Sequence, residues 1–182
     1  MPRYKSRWWD KAKAGSFEEI SIESLIANCK SESDMLTTVL LYYTGARPTE
    51  LCLAKWGDLE IDEKESLFKL FLVTLKNGVN RIVWFPINDY TRFLIEEKAK
   101  HDPNELILGG RNRHYIKQLI WRLSNKTLTA YFLRHNLYSK LAVKGVPAVI
   151  LKEHKGAKTL KSVEDYLHVN REEVKKLAYS IE

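Results

Sequence analysis

Three short motifs carry side chains that fit chemistry at a phosphate diester. They are Thr44–Leu51, which contains Arg47, then Phe132–His135, which contains Arg134, and Asp165–Val169, which contains Tyr166. The planar guanidinium of an arginine holds two phosphate oxygens at once and keeps its proton. A tyrosine oxygen that attacks phosphorus exchanges one ester for another, so bond energy is retained and no ATP is needed. These residue types are compatible with chemistry that breaks and rejoins a phosphodiester bond.

Local signals place Arg47 between two helices. Gly45 is predicted to end a helix over about Asp34–Tyr43, because glycine adopts the left-handed cap conformation at little cost. Pro48 suits the first turn of the next helix, which carries Glu50. The alternative interpretation of Arg47 is an ion pair with Glu50, three residues further on, at a helix surface.

The rest of the chain combines helix signals with a single hairpin. Leu67–Leu75 and Arg81–Phe85 are predicted strands, and the Asn-Gly pair within Lys76–Val79 predicts a tight turn between them. Apolar spacing and caps predict helices at Ser16–Cys29, Asp34–Tyr43, Asn88–Lys100, Asn112–Leu123, Thr129–Val143, Pro147–Glu153, Thr159–Val169 and Arg171–Ser180. The predicted fold class is therefore mainly α with a small antiparallel β-sheet (α+β).

Charge is unevenly distributed along the chain. The net charge is +7, yet residues 111–161 carry 12 lysines and arginines against one acidic residue, Glu153. Residues 16–66 carry 4 basic residues against 11 acidic ones. Segregation on this scale favours a surface that meets a polyanion, and a merely solvated basic helix surface is the alternative interpretation.

Composition argues against several other classes of protein. No apolar run approaches the roughly 20 residues that a membrane helix needs. The N-terminal residues lack the apolar stretch of a signal peptide. Cys29 and Cys52 are too few for a disulfide framework or a cysteine-rich zinc site. We therefore expect an intracellular, cytoplasmic protein (in the host cell, if viral) that has no membrane contact, bound metal or cofactor.

The motifs resemble those of tyrosine recombinases, the phage integrase family. Thr44–Leu51 is similar to the family's first arginine box, and Tyr131–His135 is similar to the second, usually written HxLRH. Tyr166 follows Arg134 by 32 residues, a separation that agrees with the family. The trailing His135 of the second box is interpreted as a residue that packs or hydrogen-bonds beside the site.

The resemblance implies an integrase-like catalytic domain and a set of catalytic residues. These are Arg47, Lys76, Arg134 and Tyr166, with Tyr166 forming a 3′-phosphotyrosine intermediate. Lys76, at the hairpin, is expected to protonate the leaving 5′ oxygen as general acid. Arg81, across the hairpin, is expected to contact the DNA backbone or to act as an alternative acid.

The sequence departs from the family pattern at both histidine positions. Tyr131 stands where the leading histidine of the second box is expected, and a phenol with a pKa of about 10 is no near-neutral base. Aligned without gaps, Gly156 falls at the family's turn glycine and Ala157 at the histidine that follows it. Alternatively, His154 is that histidine and the loop before the tyrosine is three residues longer. Tyr131, His154 and Lys158 are therefore further candidates for the catalytic set.

The expected partner is double-stranded DNA at a specific site, bound by a homo-oligomer in a tetrameric synapse. DNA contacts are expected from Arg81, Arg111, Arg113, Lys117 and Lys155.

Residues 1–15 are interpreted as a basic lead-in or linker, and residues 16–182 as the catalytic domain with a C-terminal helix at about 171–182. We expect a fragment or a short form, similar to archaeal or viral integrases, that performs site-specific DNA recombination or viral genome integration. Two alternatives stay open at this point: a catalytically decayed DNA-binding module, and a type IB topoisomerase-like strand-passage enzyme.

Overall fold

The computed structural model describes residues 20–74 and 80–167 of the chain. In these ranges the helices are α1 (Ile22–Ile26), α2 (Glu32–Thr44), α3 (Pro48–Leu51), α4 (Phe93–Lys100), α5 (Arg113–Leu123), α6 (Ala130–Val143), α7 (Ala148–Lys155) and α8 (Glu164–Leu167). The strands are β1 (Leu59–Asp62), β2 (Leu67–Leu72) and β3 (Arg81–Pro86), and two 3₁₀ helices span Trp56–Asp58 and Leu160–Ser162. This confirms the predicted class, mainly α with a small antiparallel sheet.

The sheet is antiparallel, in the order β1-β2-β3, and buries one of its faces. Phe68 of β2 pairs with Phe85 of β3, and their rings stack in the core with centroids 5.1 Å apart. Along β3, Arg81 and Phe85 point inward, since alternate residues of a strand face opposite sides of the sheet. The intervening Ile82 and Trp84 are exposed. The strand register therefore directs a charged side chain into the protein.

Helix α2 lies at the centre of the fold, packed against α1, α5, α6 and β3. The sequence predicts one buried stripe through Met35, Val39, Leu40 and Tyr43. Val39 and Leu40 are indeed fully buried, but α2 also buries residues on its other sides because it has neighbours there. Gly45 ends the helix with φ 55°, which confirms the predicted left-handed cap.

A second, smaller hydrophobic cluster lies apart from the main core. Its members are Tyr138, Ala142, Leu151, Val163 and Tyr166. They come from α6, α7, the residue before α8, and α8 itself. In the described part of the chain, helix α8 spans Glu164–Leu167. Packing in the small cluster therefore positions Tyr166.

Three elements differ from the sequence-based expectation. Strand β1 was not predicted, because its four residues carry only two apolar side chains. The expected helix Thr159–Val169 is divided into the 3₁₀ helix and α8. Helix α4 begins at Phe93 rather than near Asn88, because the Asn88 side chain accepts hydrogen bonds from the N–H groups of Tyr90 and Thr91 and holds a turn.

Several predictions lie outside the described residues. They concern the lead-in 1–15, Lys76 with its Asn-Gly turn, and the C-terminal helix at about 171–182. The domain boundaries therefore stay predictions.

We expect Gly156→Ala to destabilise the fold more than Gly110→Ala. Both glycines have positive φ, 62° and 77°, and alanine in that region costs about 1 kcal/mol. A Cβ at Gly156 would also lie 2.6 Å from the buried Arg81 Cδ, whereas no described atom lies within 4 Å of one at Gly110. The total cost at Gly156 is expected to be about 2–4 kcal/mol, because the collision adds overpacking to the backbone strain. Urea unfolding measures both free energies of unfolding, and equal losses would contradict the expectation.

Candidate active site

Glu50 is a buried carboxylate at the centre of the site, with three arginines around it. Its Oε1 accepts hydrogen bonds from Arg47 Nη1 at 2.5 Å and from Thr74 Oγ1 at 2.8 Å. Its Oε2 accepts from Arg81 Nη2 at 2.9 Å and from the backbone N–H of Arg47 at 2.7 Å. Arg134 Nη1 lies 4.0 Å from the same oxygen. Both carboxylate oxygens are thus satisfied without water.

The surrounding positive charges keep Glu50 ionised. Burial alone would raise the pKa of Glu50, but the charge and hydrogen bond of Arg81, with help from Arg47 and Arg134, lower it to about 2. One negative charge among three guanidinium groups leaves the site with an excess of two positive charges. An excess of this sign favours an anionic ligand such as a phosphate.

Arg47 takes part in the ion pair that the alternative interpretation expects. The partner Glu50 is buried and shared with Arg81, so the pair belongs to an interior network and not to a helix surface. Of the three arginine side chains, that of Arg47 is the most exposed, at 18% against 2% for Arg81 and Arg134. Arg47 is therefore the arginine of this network that a ligand in solution reaches first.

Arg134 ties the Arg47 turn to the end of α7. Its Nη1 donates to the carbonyl of Gly45, and its Nη2 donates to the carbonyl of Lys155 at 2.5 Å. A guanidinium carries five N–H donors, so these two bonds do not exhaust it. The structure therefore brings Arg47 and Arg134, the two arginines of the predicted set, to one place.

Arg81 lies in the interior and is 5% exposed, and its predicted contact with DNA stays a prediction. It donates to Glu50 Oε2 and to the carbonyl of His154, and its Nη1 lies 3.4 Å from Tyr138 Oη. The physical reason is the inward register of β3, which places this side chain on the same face as Phe85. Arg81 supports Glu50 and the end of α7 instead of meeting solvent.

Tyr166 is buried, with 3% of its surface exposed, and its hydroxyl lies 2.7 Å from Nδ1 of His135. This confirms the interpretation of His135 as a hydrogen-bonding residue beside the site. Burial, with the charges of Lys155 and Arg134, lowers the pKa of His135 to about 4. The imidazole is therefore neutral at pH 7. Its Nδ1 accepts the Tyr166 O–H in the tautomer protonated on Nε2, and donates to the phenol oxygen in the other tautomer.

His154 lies within α7 and contacts Tyr138 rather than Tyr166. Its Nδ1 is 3.3 Å from Tyr138 Oη, and the Tyr138 ring centroid lies 5.8 Å from that of His154 and 5.9 Å from that of Tyr166. Burial, with the charges of Arg81 and Arg134, lowers the pKa of His154 to about 4. This histidine is thus a neutral group behind the site, and a role in catalysis stays a prediction.

The turn after α7 falls at Gly156, which ends the helix with φ 62°. Its position agrees with the alignment that has no gap, in which Ala157 follows the turn glycine. Lys155, the last residue of α7, places its Nζ 4.7 Å from the centroid of the Tyr166 ring. Lys158 is exposed in the next turn. Lys155, predicted as a DNA contact, is therefore also a neighbour of the predicted nucleophile.

The remaining predicted DNA contacts lie on what we term the α5 surface, defined by Arg111, Arg113 and Lys117. All three are exposed at or near the N-terminal end of α5. Lys117 also lines a surface groove together with Pro48, next to Arg47 in sequence, and with Tyr131, which is 57% exposed. The groove thus connects the α5 surface with the Arg47 turn.

Some residues of the site escaped the sequence analysis. Thr74 and Tyr138 contribute hydroxyl groups to the network, but isolated hydroxyl residues give no motif that would reveal them. Lys76 lies outside the described residues and stays a predicted general acid. In the parts of the chain that the structure describes, no group of three or more His, Cys, Asp or Glu side chains is arranged to hold a metal ion.

Residues 16–173 match the Phage integrase family over most of the chain. The chain belongs to the phage integrase family. Similar family members include the tyrosine recombinase XerA of Saccharolobus solfataricus, 27% identical over 157 residues, which cover 85% of this chain and 52% of that protein. The tyrosine recombinase XerD of Staphylococcus haemolyticus is 28% identical over 156 residues, 76% of this chain and 50% of that protein. The chain spans about half the length of the curated relatives it matches.

Solved structures of recombinases share the fold. The XerH site-specific recombinase bound to a palindromic difH substrate, in a post-cleavage complex, superposes with a TM-score of 0.68 at 18% identity over 93% of this chain and 51% of that chain. The XerA recombinase superposes with a TM-score of 0.64 at 20% identity over 90% of this chain and 62% of that chain. At such identities the likeness establishes the architecture alone.

We expect His154→Gln to flatten the pH dependence of stability. The unfolded chain binds a proton at His154 near pH 6.5, whereas the folded protein resists protonation until about pH 4. Stability is therefore lost as pH falls from 6.5 to 4, at up to about 1.4 kcal/mol per pH unit for each such histidine. Removing His154 should therefore remove one histidine's contribution to this loss of stability. The free energy of unfolding, measured in urea at pH 4.5, 5.5 and 7, tests this.

The matched control is His114→Gln, which replaces an exposed histidine of α5. We expect this variant to retain the pH dependence of the unmodified protein. An unchanged pH dependence in His154→Gln as well would show that His154 binds protons equally in the folded and unfolded states.

Proposed function

We propose that this chain is the catalytic domain of a site-specific DNA recombinase or integrase, which cleaves and rejoins DNA strands through a 3′-phosphotyrosine intermediate. The observation that carries the proposal is the convergence of Arg47, Arg134 and Tyr166. Arg134 donates to Gly45 in the Arg47 turn and to Lys155, whose ammonium group lies against the Tyr166 ring. The family relatives, named as tyrosine recombinases, support the same assignment.

The proposed chemistry is a direct exchange of phosphodiester bonds. Arg47 and Arg134 hold the non-bridging oxygens of a DNA phosphate and offset the negative charge that develops on them. A bond forms between Tyr166 Oη and phosphorus while the bond from phosphorus to the 5′ oxygen breaks. Lys76 gives a proton to that 5′ oxygen, in the role that the family resemblance implies.

In this proposal His135 orients the nucleophile and does not store its proton. The hydrogen bond of 2.7 Å fixes the direction of the Tyr166 hydroxyl. A pKa of about 4 makes His135 a weak base, so transfer of the phenol proton to its ring is strongly unfavourable near pH 7.

The proposed partner is double-stranded DNA of a specific sequence. The α5 surface supplies positive charge beside the groove that leads to the Arg47 turn, and such a surface neutralises DNA phosphates. In this proposal, copies of the protein assemble on the DNA as a homo-oligomer, in a tetrameric synapse. The proposal is supported by the XerH relative, which binds a palindromic substrate, because a palindrome presents equivalent half-sites to symmetric protomers.

The proposed place of action is inside the cell, where the DNA substrate is found. No helix in the described ranges is long and apolar enough to cross a membrane.

We expect wild-type protein to form a covalent adduct with nicked duplex DNA, and Tyr166→Phe to form none. A nick beside the cleavage site lets the short fragment that carries the 5′ hydroxyl diffuse away. Without that hydroxyl the DNA strand cannot be rejoined, and the phosphotyrosine bond persists. A pool of nicked duplexes with randomised sequence supplies the unknown site. Adducts that survive denaturing detergent are isolated, and their DNA is sequenced.

The control for this experiment is Tyr115→Phe, which removes another hydroxyl, one that hydrogen-bonds to Asp34 at 2.9 Å. We expect this variant to form the adduct. Absence of any adduct with wild-type protein would overturn the proposed function. Relaxation of plasmids of arbitrary sequence, without a preferred site, would favour a topoisomerase instead.

We expect Lys117→Ala to weaken DNA binding and to reduce its salt dependence. Each phosphate contact contributes about −0.9 to the slope of log affinity against log salt concentration. Losing one contact on the α5 surface should therefore make the slope less steep by about 0.9. The measurement is a binding titration at several salt concentrations, with Tyr166→Phe present in every protein to prevent cleavage.

The matched control for the salt experiment is Lys64→Ala. Lys64 is an exposed lysine in the turn between β1 and β2, in the acidic half of the chain. We expect its loss to leave the slope unchanged. Equal slopes for all three proteins would show that the α5 surface does not meet the DNA backbone.

A further inference from the structure

Lys155 brings a positive charge onto the ring of Tyr166. Its Nζ lies 4.7 Å from the centroid of that ring and 6.0 Å from the centroid of the Tyr138 ring. Cations at such distances over an aromatic face are attracted to its electron density. Ala157, two residues after Lys155, carries no ionisable group. The ammonium group is thus a close electrostatic neighbour of the proposed nucleophile.

Both ends of Lys155 are fixed by hydrogen bonds. Its carbonyl accepts from Arg134 Nη2 at 2.5 Å, and its Nζ donates to the carbonyl of Ser162. Ser162 closes the 3₁₀ helix that directly precedes α8, which carries Tyr166. The residue therefore connects a phosphate-binding arginine with the segment that presents the nucleophile.

Other side chains of the described residues also lie near Tyr166. In the described part of the chain, α6 contributes His135, Tyr138 and Arg134 to this neighbourhood. His135 is neutral near pH 7, because its pKa is lowered to about 4. Arg134 directs its guanidinium to the carbonyls of Gly45 and Lys155 and lies over the Tyr138 ring.

We propose that Lys155 is a positioning residue that holds Tyr166 and stabilises the anionic form of its hydroxyl during attack on phosphorus. This inference rests on the proposed function, since it assigns a part of the same cleavage step. In that step the phenol proton passes to solvent, the bond from Tyr166 Oη to phosphorus forms, and the 5′ oxygen leaves with a new proton. The fixed positive charge lowers the energy of the phenolate that has lost its proton.

The test is the single-turnover rate of cleavage between pH 6 and pH 10. Lys155→Met removes the charge and keeps an unbranched side chain, Lys155→Arg keeps the charge, and Lys161→Met removes an exposed lysine nearby as control. The substrate is the nicked duplex recovered from the covalent selection, at saturating protein.

We expect Lys155→Met to slow cleavage about 30-fold at pH 7, which corresponds to about 1.5 pKa units of lost charge stabilisation. The loss should shrink to about 3-fold or less near pH 10, where solvent removes a phenol proton without help. Lys155→Arg should stay within about 3-fold of wild type at each pH, since it retains the charge. Lys161→Met should match wild type throughout.

A loss in Lys155→Met that is equal at all pH values would overturn the proposal, because lost packing alone has no reason to vary with pH. An unchanged rate in Lys155→Met would also overturn it. So would an equally slow Lys155→Arg variant.

A second readout does not depend on catalysis. The absorbance of ionised tyrosine is titrated in wild type and in Lys155→Met, and the matching Tyr166→Phe protein is subtracted from each. We expect the absorbance of ionised Tyr166 to appear at a pH about one unit or more higher in Lys155→Met than in wild type. An unshifted signal refutes the inference about Lys155 alone, whereas a missing wild-type adduct refutes the proposed function.

Discussion

The structure depends on one buried carboxylate. Glu50 accepts hydrogen bonds from Arg47, Arg81 and Thr74, and so joins α3 to β3 and to the residues that follow β2. Burying a guanidinium group is costly unless it is paired, and the pairing here is shared among several groups. Loss of the carboxylate would leave like charges facing one another in the interior. Glu50 thus allows three arginines to pack close together around one carboxylate.

The C-terminal end of α7 is the second junction of the site. Its last two carbonyls, those of His154 and Lys155, accept hydrogen bonds from Arg81 and Arg134 respectively. Carbonyls at the end of a helix lack intrahelical partners and carry partial negative charge, so arginine side chains suit them well. The same arginines are close to Glu50, and the position of α7 is therefore coupled to that of the Arg47 turn.

The sequence predicted most of the helices, because their caps and apolar spacing are local signals. Arg47, Arg134 and Tyr166 were grouped into one set by the family resemblance and not by any local signal. The sequence did not predict the direction of Arg81. Along β3, Ile82 and Trp84 are as apolar as Phe85, so alternation alone does not reveal which face is buried. Only the packing of the whole sheet decides this.

Contacts between distant segments were also beyond local patterns. The hydrogen bond between Tyr166 and His135 joins residues 31 positions apart, and Thr74 meets Glu50 across 24 positions. The choice between the two alignments at His154 and Ala157 likewise depended on where α7 ends. Gly156 suggested a helix end at that residue, as in the alignment without gaps. A turn three residues earlier, as in the alignment that uses His154, was equally compatible with the sequence.

The separation of the two hydrophobic clusters affects how this protein tolerates substitutions of its buried side chains. Leu151 and Val163 are fully buried in the small cluster that holds Tyr166, whereas the sheet and α2 belong to the large one. Cooperative units of this kind can open separately, at different free energies. Truncating a side chain in the small cluster would therefore displace Tyr166 more directly than it would disturb the sheet, which packs in the large cluster. Variants in which Tyr166 is displaced can thus keep a folded sheet, and thermal stability is a poor guide to the geometry around Tyr166.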